Sequence, residues 1–161
     1  MLSVGDALWW LFFILWSLLL VAADWRHRRV PNVLVVAGAS FQGLWAGAAA
    51  LKVGWHYPPM WTGWGMALLG FAMALLFVPL WMRRSMGAGD VKVIAAYGLM
   101  LGPRGLLAVL MIGSLLAGGH ALLYVGASRR WTLPHSLGRV PYVTYLALAA
   151  LNVALTQWNS R

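Results

Sequence analysis

The sequence predicts an all-α polytopic membrane protein with about six transmembrane helices, in a single domain over residues 1–161. Its composition is the first reason, because 62% of the residues are hydrophobic and 9% are charged, against roughly 45–50% and about 25% in soluble domains. The second is that apolar runs of bilayer-spanning length recur along the chain. The third is that the few charges are mostly basic, 12 Lys and Arg against 3 acids, and lie between those runs.

Five runs are long enough for a helix that crosses a bilayer, which needs roughly 17–25 apolar residues. They cover residues 7–23, 33–52, about 61–82, 105–126 and 140–157. A further run, about 90–101, is the fourth in chain order. Extended back to Gly87 it has about 15 residues and a length of about 22 Å, so we expect a short fourth helix.

The first helix is expected to be an uncleaved anchor with its N-terminus outside. A signal peptide begins with a basic segment, but residues 1–6 contain no Lys or Arg and one acid, Asp6. The basic residues follow the apolar run instead, at Arg26, Arg28 and Arg29.

Prolines divide the later helices. Pro31 can occupy the first turn of the second helix, and Pro79 is expected to kink the third near its end. Pro103 separates the fourth helix from the fifth, and Pro141 falls in the first turn of the sixth.

Small and polar residues suggest how the helices pack. Small residues four apart let two backbones approach closely. Such pairs occur at Gly43 and Gly47, Gly98 and Gly102, and Ser114 and Gly118. Within the membrane, Gln42 is expected to hydrogen-bond between helices, as is a neutral His120.

The distribution of basic residues predicts the orientation. If the short fourth helix spans, nine basic residues share one side: Arg26, Arg28, Arg29, Arg83, Arg84, Lys92, Arg129, Arg130 and Arg139. Three are left for the other side, Lys52, Arg104 and Arg161, whereas a fourth helix that does not span weakens the bias to eight against four. The positive-inside rule therefore favours six helices, with both termini outside.

Composition also limits the ligands. The chain has no Cys, which removes disulfides, thiol catalysis and thiolate metal sites. No spacing of His and acidic residues resembles a metal site, so we expect neither a metal nor a cofactor. The basic charge of an apolar chain indicates contact with anionic lipid headgroups rather than with nucleic acid.

Two of the three acids are predicted to lie at one face of the membrane. Asp24 ends the first helix and Asp90 begins the fourth on the same side, whereas Asp6 lies on the outer side. Two nearby carboxylates share a proton, and such a pair can activate water with one member and polarise a peptide carbonyl with the other. The alternatives are that Asp24 pairs with neighbouring arginines and that Asp90 caps its helix.

The neighbours of these two acids resemble the prepilin peptidases. Residues 24–32 read Asp-Trp-Arg-His-Arg-Arg-Val-Pro-Asn, which is similar to that family's Asp-x-Arg-x-x-x-(Ile/Val)-Pro-Asn segment. Residues 87–92 read Gly-Ala-Gly-Asp-Val-Lys, similar to its Gly-x-Gly-Asp-x-Lys segment. Residues 140–147 resemble the late Ile-Pro-(Phe/Tyr) segment more loosely.

The resemblance implies an aspartyl endopeptidase of the Gly-x-Gly-Asp class in the inner (plasma) membrane. Such enzymes remove the short basic leader of type IV pilin-like precursors at the cytoplasmic face. It assigns Asp24 and Asp90 as the catalytic pair. The residues it implies for binding substrate or shaping the site are Gly87, Gly89, Lys92, Arg26 and Asn32.

The sequence departs from the larger members of that family. They carry a Cys-containing N-terminal region linked to metal binding and N-methylation, and this chain has no Cys. We therefore expect no methyltransferase activity and a closer likeness to the small peptidases of Flp-type, tight-adherence pilus systems. Archaeal preflagellin peptidases share the two-aspartate arrangement. The oligomeric state stays open.

Two other classes of function remain open. One is a small proton-coupled transporter that uses Asp24, Asp90 and His120. The other is a non-catalytic subunit of pilus assembly.

Overall fold

The computed structural model describes residues 4–52, 63–132, 134, 138 and 140–159. For residues 158 and 159 it describes the backbone but not the side chains. In these residues all regular structure is helical. A 3₁₀ segment, Ala74–Phe77, lies between the third and fourth helices. The α-helices are α1 (Val4–His27), α2 (Asn32–Ala50), α3 (Trp64–Met73), α4 (Val78–Met82), α5 (Ala88–Ser128) and α6 (Tyr142–Asn159).

Four stretches are long and apolar enough to cross a membrane. They are α1, α2, the run Trp64–Met82 and α5, whereas the part of α6 whose side chains are described, Tyr142–Gln157, is apolar but shorter. The prediction of an all-helical, membrane-spanning protein is confirmed at this level. The expected start of the third helix near residue 61 lies outside the described residues, as do Arg139 and Arg161.

The third apolar run is interrupted next to Pro79, as expected. The α-helical backbone ends at Met73, continues as the 3₁₀ segment and resumes in α4, where Pro79 lies in the first turn. Proline has no N–H to donate and its ring clashes with the carbonyl four residues earlier. The helix therefore restarts at Val78, directly before the proline.

The predicted fourth and fifth helices form one element, α5, that is broken at a single residue. Gly102 has φ 66° and ψ −177° and is followed by Pro103. Positive φ favours glycine, and an extended ψ suits a residue that precedes proline. We call residues 88–101 the first arm and residues 103–128 the second arm. The expected separation at Pro103 thus takes one residue instead of a loop.

The second arm runs antiparallel to α6. At one end, a Cβ placed on Gly105 would lie 3.9 Å from Nε2 of Gln157. Near the start of α6, the hydroxyl oxygens of Ser114 and Tyr142 are 3.1 Å apart. The beginning of the second arm therefore lies beside the end of α6, and its middle lies beside the start of α6.

The first arm runs in the opposite direction. Its beginning shares a cavity with Val143, at the start of α6. Its end returns to the far end of α6, because a Cβ on Gly105 would lie 2.7 Å from Cβ of Leu101. The break at Gly102 thus folds the two arms back on each other.

Helices α1 and α2 pack antiparallel through two tryptophans. Nε1 of Trp9 donates to Oε1 of Gln42 (3.0 Å), and Nε1 of Trp16 donates to the carbonyl of Leu34 (2.7 Å). Gln42 is therefore an interhelical hydrogen-bonding residue, as predicted.

Only one of the three small-residue pairs makes a close backbone contact in the described part of the chain. A Cβ on Gly98 would lie 2.1 Å from the carbonyl oxygen of Gly70, so α3 and the first arm touch backbone to backbone. Gly43, Gly47 and Gly118 have nothing within 4 Å of the equivalent position.

Candidate active site

A buried polar contact sets the heights of the two aspartates. The hydroxyl of Tyr97 in the first arm donates to Oγ of Ser17 in α1 at 3.1 Å, and both residues are fully buried. Asp24 follows Ser17 by seven residues, and Asp90 precedes Tyr97 by seven. Seven residues are about two helical turns, or about 10 Å. Asp24 near the end of α1 and Asp90 at the start of the first arm line the same cavity, so the two helices run antiparallel and both aspartates lie at about the same height above this contact.

Asp24 and Asp90 line one cavity of about 400 Å³. The cavity lies where the end of α1, the start of α5 and the start of α6 meet. Its described lining residues are Asp24, Arg28, Arg29, Val30, Gly87, Ala88, Gly89, Asp90, Lys92 and Val143. Two acids that are 66 positions apart in the chain are thus brought together, with three basic side chains around them.

Asp24 is held by α6. Asp24 is 7% exposed, and its Oδ2 accepts from the backbone N–H of Thr144 at 2.9 Å and from Oγ1 of Thr144 at 3.0 Å. Among the described residues, its side chain accepts hydrogen bonds from Thr144 and not from the neighbouring arginines that the sequence offered as partners. Thr144 was not predicted as a site residue, although it falls within the 140–147 segment of the resemblance.

Asp90 caps its own helix while it lines the cavity. It is the third residue of α5, and its Oδ2 accepts from the backbone N–H of Gly87 at 3.3 Å. The capping alternative is therefore compatible with a place in the cavity. This hydrogen bond fixes the carboxylate at the start of the first arm.

Of the two glycines before Asp90, Gly87 leaves room for the carboxylate of Asp90. Gly87 has φ −70° and ψ 142°, a conformation open to any residue. A Cβ on Gly87 would, however, lie 3.1 Å from Oδ2 of Asp90, a tight contact. A Cβ on Gly89 would lie 3.6 Å from the side chain of Val30, an ordinary contact distance.

Lys92 joins the two segments that carry the resemblance. Its Nζ donates to Oδ1 of Asn32 at 2.8 Å, which links the start of α5 to the start of α2. Lys92 also lines the cavity. Both residues were predicted for the site, and this hydrogen bond brings them together.

The arginines of the first segment divide into two groups. Arg28 and Arg29 line the cavity, whereas Arg26, the one predicted for the site, is exposed and not among the described lining residues. Arg28 has φ 50°, the left-handed conformation that commonly ends helices. The chain therefore turns directly after α1 and carries Arg28 and Arg29 past the aspartates.

His120 lies away from this cavity. Its Nδ1 is hydrogen-bonded to the hydroxyl of Tyr145 in α6, and the two rings meet edge to face. This agrees with the prediction of a histidine that is hydrogen-bonded inside the bundle.

Comparison with known proteins supplies independent findings. The model of the type IV leader peptidase family matches residues 11–122, a range that contains Asp24 and Asp90. A protein of Xanthomonas campestris pv. campestris, named prepilin leader peptidase/N-methyltransferase, is 30% identical over an alignment of 136 residues that covers 78% of this chain and 42% of that protein. The chain thus spans less than half the length of this relative. No solved structure matches the chain with significance.

Proposed function

Because this chain belongs to the type IV leader peptidase family, we propose that it is a membrane-embedded aspartyl endopeptidase that cleaves the leader of type IV prepilin-like precursors. The observation that carries the proposal is that Asp24 and Asp90 line one cavity. These residues are two of the three acids in the chain. Carboxylates in a membrane protein are costly and mark functional sites.

The cavity suits hydrolysis by a pair of carboxylates. When two carboxylates lie close together, one is ionised and the other holds a proton. The ionised carboxylate takes a proton from water as the water oxygen bonds to the peptide carbonyl carbon. The protonated carboxylate gives its proton to the carbonyl oxygen. The C–N bond then breaks, and the leaving amine takes up a proton.

The proposed topology has six passes in a single domain, with the first arm as the short fourth pass and both termini outside. The reversal of direction at Gly102 supports it, since each arm then counts as one pass. It assigns nine of the 12 basic residues to the cytoplasmic side. The aspartates then face the cytoplasm from the inner (plasma) membrane, and Arg28 and Arg29 are placed to contact anionic lipid headgroups.

The geometry favours the peptidase over a proton-coupled transporter. A transporter of this size would need a path along the membrane normal that joins the aspartates to His120. His120 is instead hydrogen-bonded to Tyr145 and does not line the cavity. We propose cleavage without methylation for this chain, which contains no Cys, the residue that the resemblance links to metal binding and methylation.

Cleavage by aspartate variants tests the proposal. The full chain is reconstituted in liposomes with a purified prepilin-like precursor, and leader removal is followed by mass spectrometry. Asp24→Asn and Asp90→Asn are expected to lower the rate by about 10²–10⁴-fold, the usual contribution of acid–base groups. Asp6→Asn, at the start of α1, is the matched control and should cleave normally.

Each result separates the candidate functions. Near-normal cleavage by either active-site variant would contradict the peptidase mechanism. Proton flux that is lost in Asp90→Asn, in liposomes where no precursor is cleaved, would favour the transporter. Pilus formation in cells that carry both substitutions would favour a non-catalytic assembly subunit. A methylated N-terminus on the product would contradict cleavage without methylation.

A further inference from the structure

We propose that Thr144 is a positioning residue that holds Asp24 as the ionised member of the pair, so that Asp24 takes the proton from water and Asp90 holds the shared proton. The inference rests on the proposed peptidase activity and assigns separate roles to its two aspartates. It follows from the contacts that α6 makes with α1.

Thr144 gives two hydrogen bonds to a single oxygen of Asp24. Its backbone N–H and its Oγ1 lie 2.9 and 3.0 Å from Oδ2. The backbone N–H is available because Thr144 lies in the first turn of α6, where N–H groups have no carbonyl partner within the helix. Hydrogen bonds donated to a carboxylate stabilise its charged form.

Asp90 receives less support for a negative charge. Its described hydrogen bond comes from the N–H of Gly87 at 3.3 Å, longer than either bond to Asp24. The other charged groups that line the cavity, Arg28, Arg29 and Lys92, surround the pair from the end of α1 and the start of α5. A shared proton resides on the carboxylate whose charge is less stabilised, and that carboxylate is Asp90.

This assignment gives each proton a source and a destination. Water loses a proton to Asp24 as its oxygen bonds to the carbonyl carbon, and Asp90 gives its proton to the carbonyl oxygen. When the C–N bond breaks, the amine takes the proton from Asp24 and a hydroxyl of the intermediate returns one to Asp90. Asp24 ends ionised and Asp90 protonated, as both began.

Substitutions at Thr144 test this role. Thr144→Val keeps the shape and the backbone N–H but removes the hydroxyl donor, whereas Thr144→Ser keeps the hydroxyl. Thr156→Val is the matched control, because the hydroxyl of Thr156 donates to the carbonyl of Val153 on the same helix. Each full-length variant is reconstituted with the precursor, and kcat and KM are measured across pH.

We expect Thr144→Val to lower kcat by about 10- to 100-fold, the usual effect of one hydrogen bond to a charged group. KM should change little, since the hydroxyl binds Asp24 and not the substrate. The acidic limb of kcat should move to higher pH, because ionised Asp24 has lost a donor. Thr144→Ser should restore both properties, and Thr156→Val should match the unsubstituted chain.

The outcomes separate this inference from the proposed function. If the unsubstituted chain does not cleave the precursor, the peptidase proposal fails. If it cleaves and Thr144→Val has the same kcat and the same acidic limb, the positioning role is refuted. A lower kcat without any movement of the acidic limb, or one that serine does not restore, would show a purely structural effect and also refute it.

Discussion

The backbone contact between Gly98 and Gly70 gives a sharp test of how the first arm is held. The first arm carries Asp90 at its start and meets α3 at Gly98, eight residues later. Replacing Gly98 with alanine adds a Cβ at 2.1 Å from the carbonyl oxygen of Gly70 and 2.5 Å from its carbonyl carbon. Both atoms belong to a helix backbone, which has no rotamer that could move aside.

The size of the effect follows from this distance. The helices would have to separate by about 1.3 Å, the difference between 2.1 Å and the 3.4 Å at which ordinary contact begins. Overpacking of this kind costs about 1–3 kcal/mol, and a backbone contact belongs at the upper end. Alanine in place of glycine also stabilises a helix by up to about 1 kcal/mol. The net loss expected for Gly98→Ala is therefore about 2 kcal/mol.

Gly43→Ala in α2 is the matched control. It gains the same helix propensity, but its Cβ would meet nothing within 4 Å. The two variants should therefore differ by about 3 kcal/mol in the free energy of unfolding. The assay is unfolding of the purified protein in mixed detergent and SDS, followed by tryptophan fluorescence. Equal stability of the two variants would refute the close contact between α3 and the first arm.

Two further predictions concern hydrogen bonds between helices. Nζ of Lys92 donates to Oδ1 of Asn32, so the effects of Lys92→Ala and Asn32→Ala on the free energy of unfolding should not be additive. A double-mutant cycle should give a coupling of about 0.5–1.5 kcal/mol. Additive effects would contradict that hydrogen bond. Gln42→Leu should cost about 1–3 kcal/mol, because buried Nε1 of Trp9 loses its acceptor. Combining it with Trp9→Phe should cost less than the sum of the two single changes, and full additivity would show that the pair is not coupled.

The fold was largely predictable because lipid imposes a simple rule on apolar runs. The helices around Pro31, Pro79 and Pro141 follow from run length and from the missing N–H of proline. The connection between the fourth and fifth helices was harder to predict, because Pro103 indicates that the helix breaks but not how many residues the break takes. The structure achieves the break with Gly102 alone, whose positive φ is available to glycine.

The charged residues of the site could be predicted from the sequence, but the neutral residue that hydrogen-bonds to one of them could not. Asp24 and Asp90 stand out because carboxylates are rare in this chain. Thr144 is separated from Asp24 by 120 positions and looks like an ordinary residue of an apolar helix. The resemblance pointed to Arg26, but the arginines that reach the cavity depend on how α1 ends, and the left-handed backbone at Arg28 fixes that ending.

The most direct test of the central claim is whether the two aspartates act as one unit in leader cleavage. The single-turnover rate is measured for Asp24→Asn, Asp90→Asn and the double variant, each reconstituted with the same precursor. Groups that act together lose as much activity when one is removed as when both are. A shared catalytic site therefore predicts one common, near-background rate for all three variants. Near-normal cleavage by either single variant, or single losses that multiply in the double variant, would contradict it.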